Sequence, residues 1–157
     1  MAILRRVVTG HDTANVAKVL LDTVIPSQDT GRSDAQVYAV WNTGETPADI
    51  AIGETIEDRG ALPHRTPPPN GGTRFTIIDY PPGNEGNMHR TESIDYVIVM
   101  AGEIDMDMDD STIKLKAGDV MIQRGTNHAW FNRGTETARI AFVLVDAQPL
   151  GIGHPRV

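Results

Sequence analysis

The chain has 157 residues, with 21 acidic against 14 basic, a net charge of −7 and no cysteine. That length suits one domain (residues 1–157) with a core of its own, and the missing thiols exclude disulfides, thiolate metal sites and cysteine nucleophiles. The acidic balance, with basic residues scattered, argues against a nucleic-acid partner, and no apolar run approaches the ~20 residues of a membrane span.

The opening MAILRRVVTGHD runs apolar and then basic, the reverse of a secretion signal, so a cytoplasmic protein is expected. Asp12 to Leu21 can be read with a helical period through Val16, Val19 and Leu20. The strand reading is preferred, because Val7-Val8 and Val16–Leu21 can pair as a hairpin around GHDTA. AQVYAVWN (35–42) reads as a strand that ends at NTGETP. EDRGALPHRTPPPNGG (57–72) is an irregular loop, since three consecutive prolines fit neither a helix nor a central strand. His64 in that loop could reach over a barrel mouth as part of a lid, and His11 and His154 read as surface residues.

The second half alternates more plainly. RFTIIDY (74–80) and DYVIVM (95–100) are strands. EIDMDM (103–108) sets Ile104, Met106 and Met108 against Asp105 and Asp107, and TIKLK (112–116) sets Ile113 and Leu115 against Lys114 and Lys116. Across a hairpin these make an apolar face and a solvated, charge-paired one. VMIQ (120–123), HAWFN (128–132) and the nearly continuous apolar run ARIAFVLVDA (138–147) complete the set, the last as a central strand. Strands every 8 to 12 residues, with no convincing helix between them, predict an all-β antiparallel sandwich or barrel.

Two stretches carry the chemistry. In GNEGNMHRTESIDYVIVMAG (83–102), alternation puts His89 with Thr91, and Asp95 with Val97 and Val99, on one side. Tyr96 then faces away, and Arg90 and Glu92 fall at the rim or in solvent. In GDVMIQRGTNHAWFN (118–132), His128 and Trp130 share a face, with Asn132 beyond. Gln123 ends its strand, where an amide facing water is expected, though it could also meet a ligand.

The spacing of Gly83, His89, Asp95 and Gly102, then of Gly118, His128 and Asn132, resembles the two-part signature of the cupin family. The likeness covers residues 74–146; residues 1–73 add N-terminal strands and the Pro-rich loop. It implies an antiparallel jelly-roll β-barrel with an N-terminal β extension. It also implies a divalent transition metal (Fe, Mn, Ni or Zn) in the barrel mouth. By position the ligands are His89, Asp95 and His128, and Thr91 stands where the family has a second histidine. Without a metal, the expected pocket has both histidines hydrogen-bonded to Asp95. Thr91, Gln123 and Trp130 are expected to shape the substrate pocket.

The function expected from this set is a metal-dependent enzyme acting on a small oxygenated substrate, aromatic or carboxylate. The alternatives are a non-catalytic small-molecule binder and a metal-free enzyme with a histidine base. The partner is expected to be a small molecule, and the assembly a homodimer formed through exposed strand edges.

Overall fold

A computed structural model describes residues 3–29, 33–62 and 65–153; His64 and His154 lie outside them. Among the described residues there is no helix, and so none long and apolar enough to cross a membrane. The chain opens with β1 (Leu4–His11) and β2 (Ala17–Ile25). They form the expected hairpin, with Val8 opposite Leu21, and His11 closes β1. The short β3 (Gln28–Asp29) leads to β4 (Gln36–Thr43), a long loop and β5 (Thr73–Tyr80). Then follow β6 (Ser93–Ala101), β7 (Glu103–Asp107), β8 (Thr112–Lys116), β9 (Val120–Arg124), β10 (Ala129–Phe131) and β11 (Ala138–Asp146).

Six strands make one antiparallel sheet in the order β3-β4-β5-β11-β6-β9, and three make a facing sheet, β10-β7-β8. The run 138–147 is therefore central, as its continuous apolarity predicts. Inner faces of both sheets meet in one core. Val97, Val99, Ile140, Phe142 and Leu144 come from the large sheet, and Ile104, Met106, Leu115 and Trp130 from the small one. The outer face of the large sheet is treated differently along its width. Near β4 and β5 the hairpin covers it, joining Leu4 and Ile25 to Tyr38, Val40 and Ile77. Near β6 and β9 it is bare, and Tyr96, Ile98 and Ile122 are exposed.

Two glycines mark where the backbone itself requires them. Gly102 turns β6 into β7 at φ 69°, in the left-handed region that costs glycine little. Gly86 lies so close to β10 that a Cβ would fall 2.6 Å from the Trp130 carbonyl oxygen. A side chain there would push the loop 84–88 off the barrel end.

One expectation about the charged hairpin needs correction. Asp105 is buried, not solvated; it pairs with Lys114 at 3.3 Å and Arg133 at 3.4 Å. The alternation is right, but long cationic side chains lie over the carboxylate and take it out of water.

The hairpin β1–β2 is tied to the loop after β4. Arg6 reaches inward and donates two hydrogen bonds to Asp58, at 2.7 and 2.5 Å, and a third to the Val40 carbonyl at 3.1 Å. The guanidinium holds the Asp58 carboxyl below its usual range. Gly60 is required beside it, since a Cβ there would overlap the Arg6 guanidinium and the Val40 carbonyl.

Candidate functional site

The barrel mouth encloses a cavity of about 480 Å³. Its walls are apolar, with Val37, Ile78, Trp130, Phe142 and Leu144, and its polar end holds His89, Thr91, Asp95 and His128. A concave, mostly apolar site with a few convergent polar groups is the usual form of a small-molecule pocket.

β6 sets one side. Its inward residues are Ser93, Asp95, Val97 and Val99, and its outward residues Tyr96, Ile98 and Met100 are exposed, so Tyr96 faces away as the alternation predicts. Asp95 is buried, and the Ser93 hydroxyl donates to its Oδ1 at 2.6 Å. The Thr91 hydroxyl lies 2.7 Å from Ser93 Oγ, so three side chains form a hydrogen-bonded row. Burial pushes the Asp95 carboxyl up to about 6, against the smaller opposing pull of the Ser93 hydrogen bond.

The two histidines enter from outside the regular strands. His89 and His128 face each other in a single antiparallel bridge and exchange both backbone N–H···O bonds at 2.9 Å. Their ring centroids are 4.3 Å apart. His89 Nδ1 lies 2.8 Å from the Asn87 carbonyl, and His128 Nδ1 lies 2.9 Å from that of Thr126. A carbonyl only accepts, so each Nδ1 carries a proton, and in the neutral ring Nε2 is left as the acceptor. The Gln123 amide nitrogen lies against the His128 ring, 2.8 Å from Nδ1 and 3.2 Å from Nε2. Burial, with the nearby His89, pushes His128 down to about 4, so it is neutral at physiological pH.

The sequence-derived residues thus fall into different roles. His89, Thr91, Asp95, His128 and Trp130 all line the cavity. Gln123 does not; against both expectations it neither faces water nor lines the cavity, and is buried with its amide against the His128 ring. Trp130 is both core and wall: it packs edge-on against Phe142 at 5.4 Å and His128 at 5.8 Å. Arg90 is not at a solvated rim. It is buried, and its guanidinium donates to the Gly153 carbonyl, holding the C-terminal stretch across this end of the barrel. Neither imidazole hydrogen-bonds Asp95, because each is already met by a backbone carbonyl.

Sequence reading passed over Ser93 and Asn84. Ser93 was recoverable, since it stands two before Asp95 on the same strand face. Asn84 was not: it lies in a loop without periodicity, buried against β10. Asn132 serves as a latch. Its Nδ2 donates to the Tyr80 and Glu136 carbonyls at 2.7 and 2.8 Å, and its Oδ1 accepts from Gly134 N–H at 3.0 Å.

The metal implied by the motif can be tested against these donors. Among the described residues, no three His, Asp or Glu side chains are grouped closely enough to hold an ion. Gln123 packs its amide against the His128 ring, Asp95 accepts from Ser93 at Oδ1, and Thr91 is a protonated hydroxyl at neutral pH. In this arrangement the described residues do not form a three-ligand site.

Comparison with known proteins gives the lineage. Residues 76–145 match the family described as Cupin domain. The chain is 38% identical over 154 residues to phomopsin biosynthesis cluster protein C' of Diaporthe leptostromiformis, covering 94% of this chain and 80% of that protein. It is 32% identical over 161 residues to the cupin-domain-containing oxidoreductase fogC of Aspergillus ruber, covering 97% and 77%. Among solved structures, the Cnp3 cupin domain of Schizosaccharomyces pombe is similar with a TM-score of 0.58 at 13% identity, over 90% of this chain and 87% of that one. The polyketide cyclase RemF of Streptomyces resistomycificus gives 0.55 at 14%, over 84% and 78%. Those two likenesses speak for the fold alone. With a jelly-roll of two facing sheets, both histidine-bearing stretches inside the matched span and a cupin-domain relative 32% identical over 77% of its length, the chain belongs to the cupin family.

Proposed function

We propose that this cupin is an enzyme that binds a small oxygenated molecule in the barrel cavity and moves a proton on it. The observation that carries the reading is Asp95: a buried carboxyl in the wall of a largely apolar cavity, hydrogen-bonded by the Ser93 hydroxyl and with no cationic partner among the described residues. A structural carboxylate at such depth is normally neutralised by Arg or Lys. An unneutralised one suits a general base.

The roles follow from the contacts. Asp95 takes the proton, and the Ser93–Thr91 hydroxyl row steadies its charge. His89, with its Nδ1 proton on Asn87 and its Nε2 open, accepts a hydrogen bond from the substrate. His128 stays neutral and supports the wall. Trp130 and Phe142, set edge to face, give an apolar aromatic wall against which a ring can pack.

The names of several relatives, cupin-domain-containing oxidoreductases, support a second reading in which the same base assists an oxidation. Two outcomes separate these readings from mere binding. The protein is incubated in deuterated water with hydroxyl- and carbonyl-bearing ring compounds, with and without an added electron acceptor, and products are weighed by mass spectrometry. Exchange of a carbon-bound hydrogen for deuterium without an acceptor is the proton-transfer result; mass loss only with an acceptor is the redox result. Either activity should vanish in Asp95→Asn while ligand binding persists. Full activity in that variant refutes Asp95 as the base.

A further inference from the structure

The large sheet is covered on one flank of its outer face and left open on the other. Over β4 and β5 the β1–β2 hairpin supplies the cover. Over β6 and β9 no described segment does, and Tyr96, Ile98, Met100, Ile122 and Val120 are 46 to 71% exposed. They form one patch. The strand register sets Tyr96 beside Ile122 and Ile98 beside Val120, and Met100 continues the outward row of β6. Side chains of this size, about half or more in the open, leave roughly 450 Å² of apolar surface in water, within the upper range for the largest patch of a monomer.

Charge, shape and area together choose the occupant. The chain carries −7, so a second copy is repelled wherever it meets an acidic surface. The outward positions of β6 and β9 are Ile94, the five residues above and Arg124, and none is an acid. The outer side of the hairpin differs: its exposed Val7 and Val24 stand opposite Asp22 and Arg5. The patch is also the margin of a sheet, since β9 is its last strand. Two such faces pack at about 10 Å without a groove or a ridge, and a two-fold axis lets the patch meet itself. With that axis across the strands, β9 lies antiparallel over the partner's β9. Arg124 at one end is then carried towards the partner's Asp119 at the other, and the reverse. The area suits the same occupant: the patch supplies more than half of the ~800 Å² per partner in a standard interface, and a polar rim supplies the rest. An anionic bilayer calls for a group of cations, and Arg124 is the one cation among these outward positions.

We propose that two copies of this chain associate through the outer face of β6 and β9, with Tyr96 and Ile122 near the centre of the contact. The same strands carry Asp95 and Gln123 on their inner faces, opposite one another in register, so the interface backs the polar wall of the cavity.

The test is sedimentation equilibrium of the full chain from about 1 to 100 μM, the range in which a micromolar dimer assembles. The wild-type protein should reach the mass of a dimer. Ile122→Asp should raise the dissociation constant at least about a hundredfold, because each copy then buries an unpaired charge. Val24→Asp, on the exposed side of the hairpin, should leave the mass unchanged. A wild-type chain that stays monomeric throughout overturns the proposal, and so does a dimer that survives Ile122→Asp. The chain has no cysteine, so Ile122→Cys and Val24→Cys are single-thiol proteins and decide the matter if Ile122→Asp does not fold. A short bismaleimide should join two copies through position 122 and not through position 24. Equal yields at the two positions refute the interface.

Discussion

Replacing Asp95 by Asn should make the protein more stable and less active at once. In the folded barrel the Asp95 carboxyl rises from 3.8 to about 6, chiefly through burial. A rise of about two units corresponds to roughly 3 kcal/mol, at ~1.4 kcal/mol per unit. Below about pH 4 the carboxyl is protonated in both states, and the penalty is absent. Between about pH 4 and 6 the unfolded chain has released the proton and the folded chain still holds it. Stability therefore falls as pH rises through this window, and the full cost is reached above about pH 6. Asn keeps the shape and an acceptor for the Ser93 hydroxyl, but it cannot ionise. The variant should gain up to about 3 kcal/mol near neutral pH, or very roughly 6–12 °C in Tm for a chain of this size. The gain should vanish near pH 4. Urea unfolding of both proteins across this range measures it. Equal stability near neutral pH, or a gain that persists unchanged in acid, would refute the claim that Asp95 is ionised at a cost inside the barrel. A carboxylate kept where it weakens the fold is the trade expected of a working group.

Turnover should carry the same signature: kcat/KM should rise through about pH 6 and then level, as Asp95 loses its proton. Asn132→Ala should destabilise by roughly 3 kcal/mol in chemical denaturation, since the Tyr80 and Glu136 carbonyls lose their donor. Asn132→Asp should be at least as damaging despite its shape, because it turns an acceptor toward both oxygens. Trp130→Ala should cost about 3–5 kcal/mol by opening a void between His128 and Phe142. Protein incubated with Fe(II), Mn(II), Ni(II) or Zn(II) and then desalted should retain well below one equivalent by elemental analysis; a full equivalent lost in His128→Ala would show that the cavity residues rearrange into a metal site.

The strands were legible because burial is written with period two. Val97 and Val99 against Tyr96 and Ile98, and Ile104 and Met106 between acids, could be placed on faces before any coordinates. The location of His89, Asp95 and His128 at one cavity was legible from the resemblance of their spacing to the cupin signature. What each side chain touches was not. Period two cannot tell that Thr126 and Asn87 carbonyls will hold the imidazoles, that Arg90 will fold under the C-terminal stretch, or that Lys114 and Arg133 will roof Asp105. Those contacts come from loops and long flexible side chains, whose geometry depends on tertiary neighbours and not on local pattern. Asn84 lies beyond pattern for the same reason.

The clamp between Arg6 and Asp58 has a dynamic consequence. The span between β4 and β5 includes Thr66, which lines the cavity, and a span of that length would sample a wide range of positions if anchored only at its ends. Arg6 pins it partway, from a strand far away in sequence. Fraying of the N-terminal hairpin and loosening of the cavity rim are therefore coupled into one opening event with a shared free energy. Hydrogen exchange of β1 and β2 amides should report on access to a pocket that neither strand lines.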